Sequence, residues 1–288
     1  MKFENTQIWG FKHALKGMRN PKESWDKIDS TIYNDDSDTI GLNGKPLGDG
    51  NCIYIGPNDL KLAQTLIRAG SEHRKFMRQI FVSVDITAPL YWWKEFDTYK
   101  VGTVANSTST MHKMASKSIT LDCFEIDDYN AFIGLTFDEQ GKPMDIVANN
   151  IRTMLHFLEE LRQKYIETKD KRYWKELIRW LPESWLQTRT VTMTYENLFA
   201  MCGKGQRRFH KLNEWSGQDN PELTNFIAWA RTLPYAQEFI FIDELEPSSE
   251  QKIQEIINKL KIEDSAVPGY TSWEDVESIL KEYTYAIK

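Results

Sequence analysis

The sequence is poor in cysteine, has no long apolar run and carries no excess of positive charge. Each absence closes off a class of function. Cys52, Cys123 and Cys202 are the only three cysteines among 288 residues. Their number is odd, they are far apart, and none forms a CxxC pair or a metal-ligand spacing. A disulfide-stapled scaffold and a zinc knuckle are excluded, and a reduced, cytoplasmic setting is the expectation. No stretch approaches the roughly 18 apolar residues of a bilayer span. Met1 to Trp9 is polar and mixed in charge, unlike a secretion signal, so no membrane partner is expected. Lysine and arginine total 36 against 42 aspartates and glutamates, a formal charge of −6. A dedicated nucleic-acid binder shows a basic face; no nucleic-acid partner is expected, although a local basic pocket for one phosphorylated ligand stays open. Internal repeats and low-complexity tracts are absent as well.

What is present is an ordinary globular composition, 41% hydrophobic and 27% charged, enough for a core without metals or disulfides. Asn34 to Asn51 is rich in Asp, Asn and Gly and reads as turns. Its four glycines fit neither the dinucleotide fingerprint nor the P-loop. From Asn58, Leu60, Ala63, Leu66 and Ile67 recur at helical spacing, with Asn58 or Asp59 placed to cap and Gly70 to end the helix. Ile80 to Ile86 alternates apolar and polar residues as a strand, which Pro89 stops. Pro89 to Phe96 fits a helix opened by proline. Ala148 to Tyr165 carries a stripe of Ile151, Leu155, Leu158 and Leu161 and reads as a second helix. Ser184 to Met201 reads as more helix, and Pro221 to Ala230 as another. Phe239 to Ile242 is either a short buried strand or a helix end. Beyond Glu244 two short amphipathic helices are expected, the first capped by Ser248 or Ser249 and the second by Thr271 or Ser272. Trp92, Trp93, Trp180, Trp185, Trp215 and Trp229 lie in apolar helical patterns, which assigns them to the core rather than to base stacking. The chain is mixed α/β with more helix than strand.

The densest polar stretch runs from Ser71 to Met114. Its last part, Asp97 to Thr110, combines Lys100, Asn106 and a series of Ser and Thr hydroxyls, donors suited to phosphate or carbonyl oxygens. The plainer alternative is a Ser/Thr-rich loop that satisfies its own backbone.

The order of elements here resembles the flavin-dependent thymidylate synthase (ThyX) family. That family carries a His-x-Ser/Thr-x-x-Glu-His segment, a strand ending in Ala-Pro, a helix, and then the signature Arg-His-Arg-x-x-Ser-x-Asn-Glu-x-Ser-x-Arg-Tyr. In this chain His73-Arg74-Lys75-Phe76-Met77-Arg78-Gln79 takes the first place, and the strand leads to Ala88-Pro89. Counted on without gaps, Thr98-Tyr99-Lys100 falls on Arg-His-Arg, Thr103 on the first signature serine and Thr108 on the second. A shift of one puts Asn106 on the asparagine and Ser107 on the glutamate. The family's phosphate-gripping arginine forks are therefore reduced here to the point charge of Lys100. Further on, Leu181-Pro182 is retained, and Thr194-Tyr195-Glu196-Asn197-Leu198 stands on the family's Asn-x-Arg-Ser-Leu, so an acid replaces an expected arginine. Arg207, Arg208, His210 and Glu214 follow. On a helix His210 and Glu214 would share a face; a solvated basic face is the alternative for this run.

The resemblance implies an α/β (α+β) fold over residues 1–245, a central, mostly antiparallel sheet flanked by helices, with 246–288 as a helical C-terminal extension. It implies FAD held near His73, Arg78, Tyr99, Lys100, Asn106, Asn197 and His210. The nucleotide would lie against Glu95, Thr98, Ser107, Thr108, Ser109 and Arg207, with Arg207 or Arg208 acting on the pyrimidine. The activity implied is methylation of dUMP to dTMP, with NADPH and methylenetetrahydrofolate as co-substrates, no cysteine nucleophile, and a homotetramer. Two alternatives remain: a nucleotide-binding or interaction protein that has lost flavin binding, and a flavoenzyme acting on another nucleotide.

Overall fold

The period-two run after Ile80 lies at the centre of a four-stranded antiparallel sheet, and the rest of the fold is arranged about it. The computed structural model describes residues 1–34, 43–99, 101–109, 114–126, 139–141, 146–203 and 208–245. The chain divides into two units, Met1–Phe241 and Ile242–Lys288, and every element that shapes the site belongs to the first. The helices expected beyond Glu244 lie outside the described residues.

Strands β1 (Lys2–Trp9), β5 (Phe81–Pro89), β7 (Leu186–Thr194) and β6 (Val104–Ser107) lie side by side in that order, each pairing antiparallel. Alternation decides the two faces. Val82, Val84, Ile86 and Ala88 of β5, with Val191 and Met193 of β7, are at most 1% exposed, and Val84 faces Val191 across the pair. The other face is a ladder of short polar side chains. Ser83 bonds Thr192 at 2.5 Å and Thr87 bonds Thr188 at 2.7 Å. Asp85 accepts from Asn5 at 2.8 Å and from Thr190 at 2.5 Å, and these bonds hold its carboxyl below the usual range. A smaller sheet, β2 (Thr31–Asn34), β4 (Asn51–Tyr54) and β3 (Lys45–Pro46), brackets the region read as turns, with only β3 lying wholly inside it.

Three expectations are corrected here. The span from Ser184 to Met201 is not continuous helix: Leu186–Thr194 is strand β7, since Thr188, Thr190, Thr192 and Thr194 alternate with larger residues at period two. Helix follows only from Tyr195. The helix expected from Pro221 begins at Phe226, where the Asn225 side chain caps it by accepting from the Ala228 N–H at 2.8 Å. Trp180 is 58% exposed rather than core, with Nε1 bonded to Glu176 at 3.1 Å. At the start of the chain, β1 and helix α1 (Phe11–Arg19) had no counterpart in the sequence reading. Gly10 joins them at φ +95°, where a Cβ would stand 1.9 Å from the Gln79 carbonyl oxygen.

Helix α2 (Pro57–Arg68) ends before Gly70 (φ +112°), as its spacing implies. Its start is capped differently from expectation. Pro57 holds the first turn, and Asp29, remote in sequence, accepts from the Asn58 and Asp59 N–H groups at 2.8 and 3.0 Å. Asp59 turns inward to Arg19 at 2.6 Å, with both side chains buried. Helix α3 (Leu90–Phe96) buries Trp92, Trp93 and Phe96. Helices α4 (Ile146–Thr168) and α5 (Lys171–Arg179) pack Leu158 and Leu177 against Met114, Ile119 and Phe124. Glu159, on α4, is bonded by Arg162 and by the Ile119 N–H, which holds its carboxyl at about 2. Helix α6 (Tyr195–Cys202) continues β7, and α7 (Asn213–Ser216), α8 (Phe226–Arg231) and α9 (Ala236–Phe239) follow. Phe239 to Ile242 is therefore a helix end, its Ile240 N–H reaching the Ala236 carbonyl at 2.7 Å.

Candidate functional site

A cleft of about 600 Å³ opens where β7 passes into α6. Arg78, Thr98, Tyr99, Val101, Gly102, Thr194, Glu196, Asn197, Ala200 and Met201 line it. Residues from the turn before β5, from the end of α3 and from the start of α6 thus converge on one surface.

The start of α6 is held by a reciprocal cap. Thr194 Oγ1 accepts from the Asn197 N–H at 3.2 Å, and Asn197 Oδ1 accepts from the Thr194 N–H at 2.9 Å. Asn197 Nδ2 then donates to the Val101 carbonyl at 2.7 Å. One side chain therefore fixes both the helix start and the loop after Tyr99. That loop turns at Gly102, φ +80°, a conformation that favours glycine. Asn197→Ala is expected to cost about 1–2 kcal/mol in urea unfolding through the lost cap. Asn197→Asp should keep most of that stability while freeing Val101, read as faster amide exchange at Gly102 than in the unaltered chain; protection equal to that of the unaltered chain would show that the tether is idle.

Charge in the cleft is of both signs. Arg78 is exposed and has no hydrogen-bond or ion-pair partner among the described residues. Glu196 is engaged: Arg74 Nε stands 3.1 Å from both of its carboxylate oxygens, and the Arg74 guanidinium lies 4.5 Å over the Phe199 ring. Tyr99 donates to Glu95 Oε1 at 2.9 Å, and His210 Nε2 stands 3.3 Å from the same oxygen. His210 Nδ1 accepts from the Leu212 N–H at 3.1 Å, which assigns the ring proton to Nε2, facing Glu95. Both rings rest on Trp215, with centroids 5.6 Å (Tyr99) and 5.4 Å (His210) away.

The sequence-derived candidates separate clearly. Arg78, Thr98, Tyr99 and Asn197 line the cleft, and Glu95 and His210 join it through Tyr99. Asn106, Ser107, Thr108 and Ser109 do not line it; they are exposed on and just after β6, where Asn106 pairs Thr190 and Ser107 pairs Arg189. His73 is exposed at the start of the turn Arg74–Gln79 and does not line the cleft. Arg208 is 8% exposed, donates from Nε to the Cys202 carbonyl at 3.0 Å, and lies over Phe241 rather than in the cleft. Lys100 and Arg207 lie outside the described residues. His210 and Glu214 do not share a helix face, because α7 begins only at Asn213 and the Tyr91 hydroxyl takes Glu214. The pairing of Arg74 with Glu196 and the Thr194 cap have no counterpart in the sequence reading. The cap was legible as a helix-start pattern, Thr followed three residues later by Asn. Burial pushes the Cys202 thiol well above its ordinary value, so it supplies no thiolate.

This architecture, a four-stranded antiparallel sheet flanked by helices, is similar in fold to solved flavin-dependent thymidylate synthases. A solved structure of flavin dependent thymidylate synthase ThyX from Helicobacter pylori, complexed with FAD and dUMP, matches 84% of this chain and 99% of its own at TM-score 0.52 and 14% identity. A second structure of ThyX from the same organism with FAD and dUMP matches 86% of this chain and 100% of its own at TM-score 0.51 and 15% identity. At such identity the likeness is one of fold. No protein-family model matches the chain, and no curated protein matches it in sequence. The resemblance read from element order therefore holds for the architecture. Among the described residues no helix is long and apolar enough to cross a membrane.

Proposed function

We propose that the cleft binds a pyrimidine deoxynucleotide beside a flavin, and that the chain is a flavin-dependent thymidylate synthase-like protein, converting dUMP to dTMP when flavin is bound. The observation that carries the reading is the convergence of Arg78, Thr98, Tyr99 and Asn197, four positions marked by the resemblance, on one cleft. Its volume of about 600 Å³ falls in the range of ligand sites, roughly 300–1,000 Å³. The residues present fit the group: Arg78 offers a fork for phosphate oxygens, Tyr99 a ring face, and Gly102 a backbone without a side chain. FAD, when bound, supplies hydride and one-carbon transfer, with NADPH and methylenetetrahydrofolate as co-substrates. The protein's own contribution is position. Arg78 binds the anion, Asn197 holds the Val101 carbonyl, and Glu95 with His210 orients Tyr99. The assembly we propose is a homotetramer.

One observation favours a second reading, a nucleotide-binding protein without flavin. Arg78 is the one described cationic side chain lining the cleft that has no acidic partner, whereas FAD carries two phosphates. The two readings separate on the purified protein. Flavin absorbance near ~450 nm, or saturable uptake of added FAD, supports the first; colourless protein that takes up no FAD overturns it. Arg78→Ala is expected to weaken nucleotide binding at least about tenfold, since charge-assisted bonds contribute roughly 1.5–3 kcal/mol. An unchanged dUMP thermal shift would remove Arg78 from the site.

A further inference from the structure

We infer that Glu196 makes this cleft prefer a pyrimidine carrying an amine at C4, a cytosine nucleotide, over one carrying a carbonyl there. The inference rests on the proposed reading of the cleft as a pyrimidine-deoxynucleotide site and departs from that reading in the base, putting dCMP ahead of dUMP.

The argument begins with what a carboxylate does. At neutral pH it accepts hydrogen bonds and donates none. The C4 substituent is where the two natural pyrimidines differ most sharply, since cytosine presents an N4 amine that donates and uracil an O4 carbonyl that accepts. Glu and Asp are accordingly partners for cytosine N4, and a carboxylate set against O4 brings two acceptors together without a proton between them.

Glu196 meets the structural requirements for such a selector. It lines the cleft, and its side chain is 17% exposed, so a mismatched polar contact there is poorly compensated by water. Its position is fixed rather than free. Arg74 Nε bridges both oxygens at 3.1 Å, and the arginine is itself braced on the Phe199 ring at 4.5 Å. A carboxylate has about four lone-pair sites, and a single N–H shared between two oxygens leaves acceptor capacity for a ligand. Apart from Arg78, the polar side chains described elsewhere in the cleft are engaged. Asn197 Oδ1 accepts from Thr194 and its Nδ2 donates to Val101; Thr98 Oγ1 donates to the Glu95 carbonyl at 2.8 Å. Arg78 supplies the complementary charge for the nucleotide's phosphate. A fixed acceptor and an unpaired cation on one surface suit a ligand with a donating base edge at one end and an anion at the other.

The test is equilibrium binding of dCMP and dUMP to the full chain, with and without saturating FAD. In the unaltered protein dCMP is expected to bind about tenfold or more tightly than dUMP. Glu196→Gln offers an amide N–H to O4, so the ratio should fall to about threefold or less, or invert. The ratio in the unaltered chain decides the matter even if the variant fails to fold. Equal or tighter binding of dUMP overturns the inference, as does a ratio unchanged in a folded Glu196→Gln. Binding of FAD and dUMP with no advantage for dCMP overturns the base preference alone. Failure of both nucleotides and of FAD to bind overturns the proposed function with it.

Discussion

Replacing Asp59 by alanine is expected to cost about 3–5 kcal/mol of stability, because it strands a buried cation. Arg19 and Asp59 are 5% and 0% exposed and meet at 2.6 Å. Asp59 also accepts from the Ser30 hydroxyl at 2.6 Å and from the Asp29 N–H at 3.2 Å. One carboxylate therefore ties together α1, the 29–30 segment and α2. Arg19 Nη2 is already buried without a partner, so the arginine has no second anchor among the described residues to fall back on. Loss of a partner in a buried pair is far costlier than loss of the pair. Arg19→Met in the Asp59→Ala background should accordingly recover a substantial part of the loss, and Asp59→Asn should cost less than Asp59→Ala. Urea unfolding of the single and double variants measures the coupling. A loss below about 1 kcal/mol for Asp59→Ala would mean that the pair behaves as though solvated.

Legibility of this fold from sequence followed how local each determinant is. Strand β5 was readable because its alternation is written in consecutive residues, and α2 and α3 because their apolar spacing and prolines are local too. Strand β1 was not, since only its pairing with β5 makes Lys2–Trp9 a strand; three of its first five residues are charged or amide-bearing. In β7 the alternating threonines speak for strand, and pairing on both sides by β5 and β6 decides it. The site shows the same division. Arg78, Thr98, Tyr99 and Asn197 were found through element order. The pairing of Arg74 with Glu196 spans 122 positions and leaves no local signature. The second half of the polar segment, Asn106 to Ser109, looked equivalent to the first in composition, yet it runs along an exposed edge strand because β7 offers it a pairing partner.

The largest effect on the site itself is expected from Trp215→Ala. Trp215 is fully buried and packs on Trp92 and Phe226 at 5.5 and 5.1 Å, with Tyr99 and His210 against its other contacts. Removing a buried indole costs about 3–5 kcal/mol, from lost burial and from the cavity left behind. The functional consequence comes from the same geometry. Tyr99 faces the cleft with its ring braced by Trp215 and its hydroxyl held by Glu95, so loss of the indole removes the brace beneath the ring. Ligand affinity at the cleft should fall at least about tenfold, the size of one lost positioning contact of roughly 1.4 kcal/mol. Trp215→Phe separates the two roles. The indole N–H has no hydrogen-bond partner among the described residues, so phenylalanine removes that donor while keeping a ring under Tyr99. Its stability cost should be clearly smaller than that of Trp215→Ala, since the ring fills most of the space, and nucleotide binding should be retained. Thermal unfolding and dUMP or dCMP titrations of both variants measure these effects. If Trp215→Phe loses binding as fully as Trp215→Ala, then the indole edge itself, not a ring beneath Tyr99, is what the cleft requires.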